Sequence, residues 1–304
     1  MQVKIQDYSI QADSFFSQGM RCEAHFYRPN NSTANLPVVI MAHGFGARMD
    51  FGLQPFADAF VKAGMAVFMF NYRGFGQSEG NTRFLVNPFM HVQDWEAALE
   101  YVTQKSEINP ERIALWGSSF SGGHVLRVAA DHPEITAVSA QVPFLDGVPT
   151  ALQTSPKIMV RSAWAGIKDL FRKFTFRSPY YIAVVGKPGE TACMNKADSE
   201  AGFRNLIPNS QNQNWRNLCP ARIALILPFY RPISKLAKIK SPCLLVNATN
   251  DTLFSPSTIY RAAKKIKDVK LVDLQCGHFD PYKGRWFDEA LAVELDFLKS
   301  KLLD

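Results

Sequence analysis

"RIALWGSSFSGGHVL" (residues 112–126) is the stretch whose reading decides the fold. Its first residues form a short apolar run suited to a buried strand, and the run stops at Gly117. From Phe120 the sequence continues as a helix, "FSGGHVLRVAADH", so strand and helix meet within Ser118 and Ser119. A nucleophile placed on so sharp a strand-to-helix turn needs small neighbours, because the turn is strained and adjacent backbone passes close by. The pattern G-x-S-x-G supplies them. Here Gly117-Ser118-Ser119-Phe120-Ser121 puts Ser119 in the nucleophile's place. Ser121 stands where the second glycine is usual, and Gly122-Gly123 follow at once. Ser118 and Ser121 are poorer candidates, since only the second position after Gly117 projects its hydroxyl from the apex of the turn. The competing reading is a Gly/Ser-rich turn that merely joins two elements.

The chain on either side repeats the same rhythm. Before the turn come the strand "VVIMAH" (38–43), the helix "DFGLQPFADAFVKAG" (50–64), the strand "MAVFMFNY" (65–72) and the amphipathic helix "HVQDWEAALEYVTQ" (91–104). After it comes the strand "ITAVSAQVP" (135–143). Short, wholly apolar strands alternating with helices indicate a parallel sheet covered on both faces. Two antiparallel strands, around Val3–Ile10 and Met20–Tyr27, precede this pattern. Past Pro143 the rhythm is lost for about ninety residues, then resumes with "SPCLLVNATND" (241–251), "PSTIYRAAKKIK" (256–267), "VKLVDLQ" (269–275) and a closing helix "GRWFDEALAVELDFLKSKLL" (284–303). The domain reading is therefore a core of residues 1–144 and 236–304, with 145–235 inserted.

Composition narrows the class. Of 304 residues, 47% are hydrophobic and 20% charged, enough for one large globular domain or a domain with an insertion. The N-terminus lacks the basic start and unbroken apolar core of a secretory signal. No apolar run approaches the roughly 20 residues that span a bilayer. With five scattered cysteines lacking C-x-x-C spacing, the expectation is reduced thiols, a cytoplasmic location and neither a disulfide framework nor a zinc site. The net charge of +7 is local: residues 146–235 hold thirteen Lys and Arg against five Asp and Glu, so the excess of eight belongs to the insertion. A nucleic-acid partner, which would predict tight and strongly salt-dependent binding carried by the insertion, is not expected.

A hydroxyl nucleophile needs a base, and the base an orienting acid. Asp251 follows the strand "CLLVNA" and His278 follows "VKLVDLQ", both at carboxyl ends of strands, where open α/β sheets build their sites. The order Ser119, Asp251, His278 is the order such a fold uses. A helix cap for Asp251 and a loop role for His278 are the structural alternatives. Asp273 lies within a strand, and Asp280 reads as a turn residue. An oxyanion wants two preorganised N–H donors. Phe120, directly after the nucleophile, supplies one, and Phe45 in "MAHGFGA" supplies the other. "NYRGFGQSEG" (71–80) lacks the ending of a phosphate-binding loop and reads as a structural support for the site. His124 reads as a packing residue, and Trp95 and Trp116 as core.

With these residues in order, the chain resembles the α/β-hydrolase superfamily of serine hydrolases over roughly residues 20–144 and 236–304. "YRGFGQSEG", "GSSFSGGH" and "GHFDPY" together look like the group of dienelactone hydrolase and Xaa-Pro peptidase-like esterases, and are similar to fungal polyketide transferases and thiohydrolases. The resemblance implies an α/β-hydrolase fold, a mostly parallel sheet with helices on both faces and an inserted helical cap over residues 145–235. It further implies a Ser119–Asp251–His278 triad, acyl-enzyme chemistry on a small-molecule ester or thioester, no metal and no organic cofactor. Hydrolysis and acyl transfer share the first half-reaction and stay open at this stage, as does a non-catalytic ligand-binding member of the fold. The inserted "MVRSAWAGIKDLFRKFTF" (159–176) has apolar residues at helical spacing among Lys and Arg. Its basic face is open to three readings: attraction of an anionic substrate, a solvated surface, or contact with a membrane surface without stable insertion. Oligomeric state is not legible in these residues.

Overall fold

The computed structural model describes residues 7–30, 35–211 and 215–304. A first hairpin joins β1 (Tyr8–Ser17) to β2 (Met20–Pro29). The first strand thus lies later in the chain than the expected Val3–Ile10, of which residues 3–6 fall outside the described residues. Its turn explains the shift. Gln18 and Gly19 both take positive φ, 49° and 76°, which matches the twist of a two-residue hairpin and pairs Ser17 with Met20.

The core then alternates: β3 (Leu36–Ala42), α1 (Gln54–Lys62), β4 (Ala66–Phe70), α2 (Pro88–Thr103), β5 (Ile108–Ser118), α3 (Phe120–Ala129) and β6 (Ala137–Gln141). Strands β3, β4 and β6 are buried along their whole length, as a sheet covered on both faces requires. Asn87 opens α2 by accepting from the N–H groups of Phe89 and Met90, and Pro88 takes the first helical position.

Between β6 and the next core strand the chain forms α4 (Gly147–Leu152), α5 (Pro156–Phe174), β7 (Tyr181–Val185), β8 (Ala192–Met194), α6 (Ser199–Arg204), β9 (Cys219–Pro220) and α7 (Ile223–Ile226). Strands β8, β7 and β9 make a separate three-stranded sheet, an element that the helical spacing of the sequence does not reveal. The core closes with β10 (Cys243–Ala248), α8 (Pro256–Ala263), β11 (Val269–Leu274) and α9 (Gly284–Leu302).

The main sheet has eight strands in the order β1-β2-β4-β3-β5-β6-β10-β11. Pairing with β2 is antiparallel, and every other neighbouring pair is parallel. The carboxyl ends of β3, β5, β10 and β11 therefore face the same way, and the loops that leave them meet above the middle of the sheet. Beneath, Trp95, Trp116, Phe56 and Phe60 are wholly buried and fill the space between sheet and helices. The loop after β4 is tied down by charge: Arg73 pairs with Asp94 of α2, both buried, and also donates to the carbonyl of Met90 at 3.0 Å. Among the described residues, no helix is long and apolar enough to cross a membrane.

Candidate active site

Strand β5 ends at Ser118 and α3 begins at Phe120, which leaves Ser119 alone on the turn with φ 58° and ψ −119°. A non-glycine residue in that conformation costs of the order of 1–3 kcal/mol and persists only where the surroundings enforce it. Here they do: Ser119 N donates to the carbonyl of Gln141 at 2.8 Å, and the Ser119 carbonyl accepts from Phe144 N at 2.9 Å. The serine is held between β5 and the end of β6 with its hydroxyl at the apex.

His278 Nε2 lies 2.9 Å from Ser119 Oγ, and its Nδ1 lies 2.7 Å from Asp251 Oδ2. Because a carboxylate can only accept, Nδ1 carries the proton, and Nε2 is left to accept from the serine hydroxyl. The other oxygen, Asp251 Oδ1, accepts from the N–H groups of Leu253 and Phe254 at 2.7 and 2.9 Å, which fixes the carboxylate's orientation. The three residues expected from the sequence are thus brought into one hydrogen-bonded line, from loops that follow β5, β10 and β11. Asp273 is elsewhere, bonded to Asn247 and Tyr260, and Asp280 closes its own turn by accepting from Gly277 N at 2.7 Å.

Phe45 and Phe120 flank the serine, one just past β3 and the other opening α3. Their rings pack edge to face with centroids 5.2 Å apart. Among the described residues neither backbone N–H has an acceptor, as expected for the first turn of a helix and for a loop that faces a reacting group. Gly44 allows the approach: a Cβ there would sit 3.3 Å from both the Ser118 carbonyl and Ser119 Cβ. The second glycine of the usual elbow pattern is not needed at 121, because the closest approaches fall one and two residues later. A Cβ on Gly123 would lie 2.0 Å from the Phe144 carbonyl oxygen.

Ser121 instead uses its hydroxyl, 3.1 Å from Tyr72 OH, which also accepts from Trp95 Nε1 at 2.9 Å. Beside this pair, His124 Nδ1 lies 2.6 Å from Tyr230 OH and His124 Nε2 lies 3.3 Å from His91 Nδ1, while His91 stacks flat on Tyr72. Burial holds His124 down to about 3 and His43 to about 4, and drives His91 well below its usual value. These imidazoles are therefore neutral. Ser118 is buried too, with its hydroxyl 2.6 Å from Tyr282 OH and accepting from Gln141 Nε2 at 2.9 Å. Reading from sequence missed this floor. Its one usable signal was the tyrosine before "RGFG".

Ser119 keeps only 7% of its surface and His278 only 1%, and Met194, Phe203 and Leu206 from the chain after β6 line the same cleft as these two residues. The space that remains is mostly apolar, with Thr150, Gln153, Thr154, Asn195 and Lys196 as polar members of its lining. A cleft of about 350 Å³ is lined by Gly44, Ser119, His278 and Tyr282, and shares Phe45 and Met194 with a second of about 540 Å³ walled by Phe120, Phe144 and Phe254. A third, about 800 Å³, continues from Phe45 and Cys193 to Ile158, Met159 and Ala163 of α5.

Residues 18–175, just over half of the chain, match the model of the X-Pro dipeptidyl-peptidase (S15) family, and the chain belongs to that family. It is an enzyme of the α/β-hydrolase superfamily. Among curated relatives it is 33% identical to the quorum-quenching protein AidA of Acinetobacter baumannii, over 94% of this chain and 93% of that one. It is 28% identical to the thiohydrolase apmlB of Arthrinium phaeospermum over 62% of this chain and 61% of the other. Among solved structures, the α/β hydrolase GrgF of a Penicillium species superposes with a TM-score of 0.81 at 19% identity, over 97% of this chain and all of that one, a likeness of fold.

Proposed function

We propose that the protein hydrolyses a carboxylic ester or thioester through an acyl-enzyme on Ser119. The observation that carries this reading is the unbroken line from Ser119 Oγ through His278 to Asp251, at 2.9 and 2.7 Å, beside two N–H groups that have no acceptor among the described residues. Ser119 Oγ attacks the acyl carbonyl as His278 Nε2 takes its proton, and the Asp251 carboxylate steadies the imidazolium that forms. The N–H groups of Phe45 and Phe120 donate to the oxyanion of the tetrahedral intermediate. When that intermediate collapses, the bond to the alcohol or thiol breaks and His278 returns the proton to the leaving oxygen or sulfur. Water then attacks the acyl-enzyme with His278 again as base; the acid is released and the proton returns to Ser119.

Residues 145–235 serve in this reading as a cap that shapes the acyl side of the pocket. The walls support an apolar acyl group: Phe45, Phe120, Phe144, Phe254 and Met194 are among the lining residues, and no carboxylate of the described residues is. An enzyme that removes dipeptides from a free N-terminus must hold an ammonium group, so the same walls favour an ester or thioester over the peptide of the family's name. The thiohydrolase among the relatives supports the thioester. The five unpaired cysteines agree with a cytoplasmic enzyme.

A fluorophosphonate probe tests the assignment. Wild-type protein should label stoichiometrically and Ser119→Ala should not. Equal labelling of both would remove Ser119 from the reaction. Turnover measured across p-nitrophenyl esters and acyl-CoA thioesters of rising chain length then reads the substrate class, with activity expected to rise with chain length.

A further inference from the structure

Helix α5 carries two apolar faces, and only one of them is covered. Its inner face buries Ile158, Ala165, Gly166 and Asp169. Asp169 anchors it, accepting from Arg222 Nε and Nη2 at 2.6 and 3.1 Å and from Tyr180 N at 2.8 Å. The outer face presents Val160, Trp164, Ile167, Phe171 and Phe174, between 50% and 70% exposed, and Phe176 just beyond the helix is wholly exposed. The steps between the five are four, three, four and three residues, so at 3.6 residues per turn they fall within an arc of roughly 80°. Such a continuous outward stripe is uncommon on a soluble surface and marks a contact face.

Charge states what the face contacts. Lys157, Arg161, Lys168 and Arg172, spaced four, seven and four apart, run along one flank of the stripe. The one acid in the helix is the buried Asp169. The ion pairs of the surrounding region join Arg204 to Glu200, Arg222 to Asp169 and Arg231 to Asp146, and none among the described residues engages the four flanking cations. Of these, Lys168 lies 4.2 Å over the Tyr180 ring and Arg172 Nε donates to the Ser178 carbonyl at 2.5 Å, without either charge being neutralised. A second copy of the chain would bring an identical uncompensated row to the interface. An anionic lipid surface supplies what both halves of the face lack, headgroup charge for the cations and hydrocarbon for the tryptophan and phenylalanines.

We propose that the outer face of α5 docks the protein on anionic lipid, with the helix lying in the plane of the membrane surface. Ile158 of the inner face, together with Met159 and Ala163 on the flank between the two faces, lines the third cleft, so docking sets that cleft beside the bilayer. The docking itself is independent of the ester chemistry and is read without turnover.

The test is sedimentation of the purified full-length protein with vesicles of phosphatidylglycerol and phosphatidylcholine, against vesicles of phosphatidylcholine alone. Wild type should partition at least tenfold more strongly onto the anionic vesicles, lose that preference in 0.5 M NaCl, and shift its tryptophan emission to the blue on binding. The shift should disappear in Trp164→Phe. Each cation at a lipid surface is worth about fivefold, so Arg161→Gln with Lys168→Gln should weaken partition by about 25-fold while an unchanged circular dichroism spectrum and melting temperature report an intact fold. Equal partition onto both vesicle types, or an unchanged double variant, would overturn the proposal. So would a dimer in light scattering that Trp164→Glu converts to monomer, since a second copy would then own the face, or retention on an acidic polypeptide with no vesicle binding.

Discussion

Replacing Asp251 by asparagine tests the site most sharply, because the structure dictates which way the amide must point. Asp251 Oδ1 accepts from two backbone N–H groups, those of Leu253 and Phe254. An asparagine placed there must keep its carbonyl oxygen toward them, since the reverse orientation would set the NH2 against two donors and leave each unpaired at about 1–3 kcal/mol. The NH2 therefore faces His278 Nδ1, where the carboxylate oxygen stood at 2.7 Å. A donor at that point makes Nδ1 an acceptor and moves the imidazole proton to Nε2, 2.9 Å from Ser119 Oγ. His278 then has no lone pair for the serine proton. The expected loss in kcat is about 10⁴-fold, or about 5.5 kcal/mol of barrier, with KM little changed. Because both backbone bonds survive, the melting temperature should stay within a few degrees of wild type. Stopped-flow acylation by an activated p-nitrophenyl ester measures the loss directly. A fall of less than tenfold in a folded Asp251→Asn protein would show that Asp251 does not orient the base.

Three further outcomes follow from buried groups. Glu294 on α9 is wholly enclosed, and burial pushes its carboxyl up to about 8. A raised acid holds its proton in the folded state, so stability is present at low pH and is lost as pH climbs from the usual carboxylate range toward 8. The loss between pH 6 and pH 8 is about 2 kcal/mol; urea unfolding should show that slope in wild type and its near absence in Glu294→Gln, and equal slopes would refute the burial argument. His43 and His124, held neutral at about 4 and about 3, act in the opposite sense: the unfolded chain takes up protons first, so stability falls as pH drops below the usual histidine value. Each costs about 2 kcal/mol at pH 5 relative to pH 7, and His124→Gln should flatten the acid limb measured by urea titration. Gly123→Ala would drive a Cβ to 2.0 Å from the Phe144 carbonyl oxygen, so it should lose about 1–3 kcal/mol or more of stability by thermal melting, whereas Ser121→Gly should lose far less.

The alternation of apolar strands and helices was legible because a sheet covered on both faces has few polar positions to disguise it; β4 and β6 fall within their expected runs, and β3 begins at Leu36, ahead of the expected start at Val38. Ser119, Asp251 and His278 were legible for a related reason: Ser119 follows directly on β5, and Asp251 and His278 lie in the loops that leave β10 and β11, so finding the strands found the loops. Order along the chain did the rest. Where reading failed, the information was not local. Strand β7 pairs with β8 in parallel and with the two-residue β9 antiparallel, a ladder too short for any period to show. The partners of Ser121 and His124, Tyr72 and Tyr230, sit 49 and 106 residues away, and no pattern within one segment connects them. The first strand moved because the positive φ values at Gln18 and Gly19 set the register, and glutamine does not announce such a turn.

That hidden floor bears on the reaction. Tyr72, Trp95, His91 and Tyr230 come from the loop after β4, from α2 and from the segment before β10, and all close on Ser121 and His124 of the helix that begins at the nucleophile. Three imidazoles so near the elbow would, if charged, oppose the imidazolium that His278 would become in the proposed acylation. Burial removes that opposition by keeping His43, His91 and His124 neutral across the physiological range. In the proposed reaction the proton drawn from Ser119 would meet the carboxylate of Asp251, which is hydrogen-bonded to His278 Nδ1 at 2.7 Å. The neutral polar network below the elbow thus adds no positive charge there, and in the proposed reaction the Asp251 carboxylate and the N–H groups of Phe45 and Phe120 are the groups that would stabilise the transition state for acyl transfer.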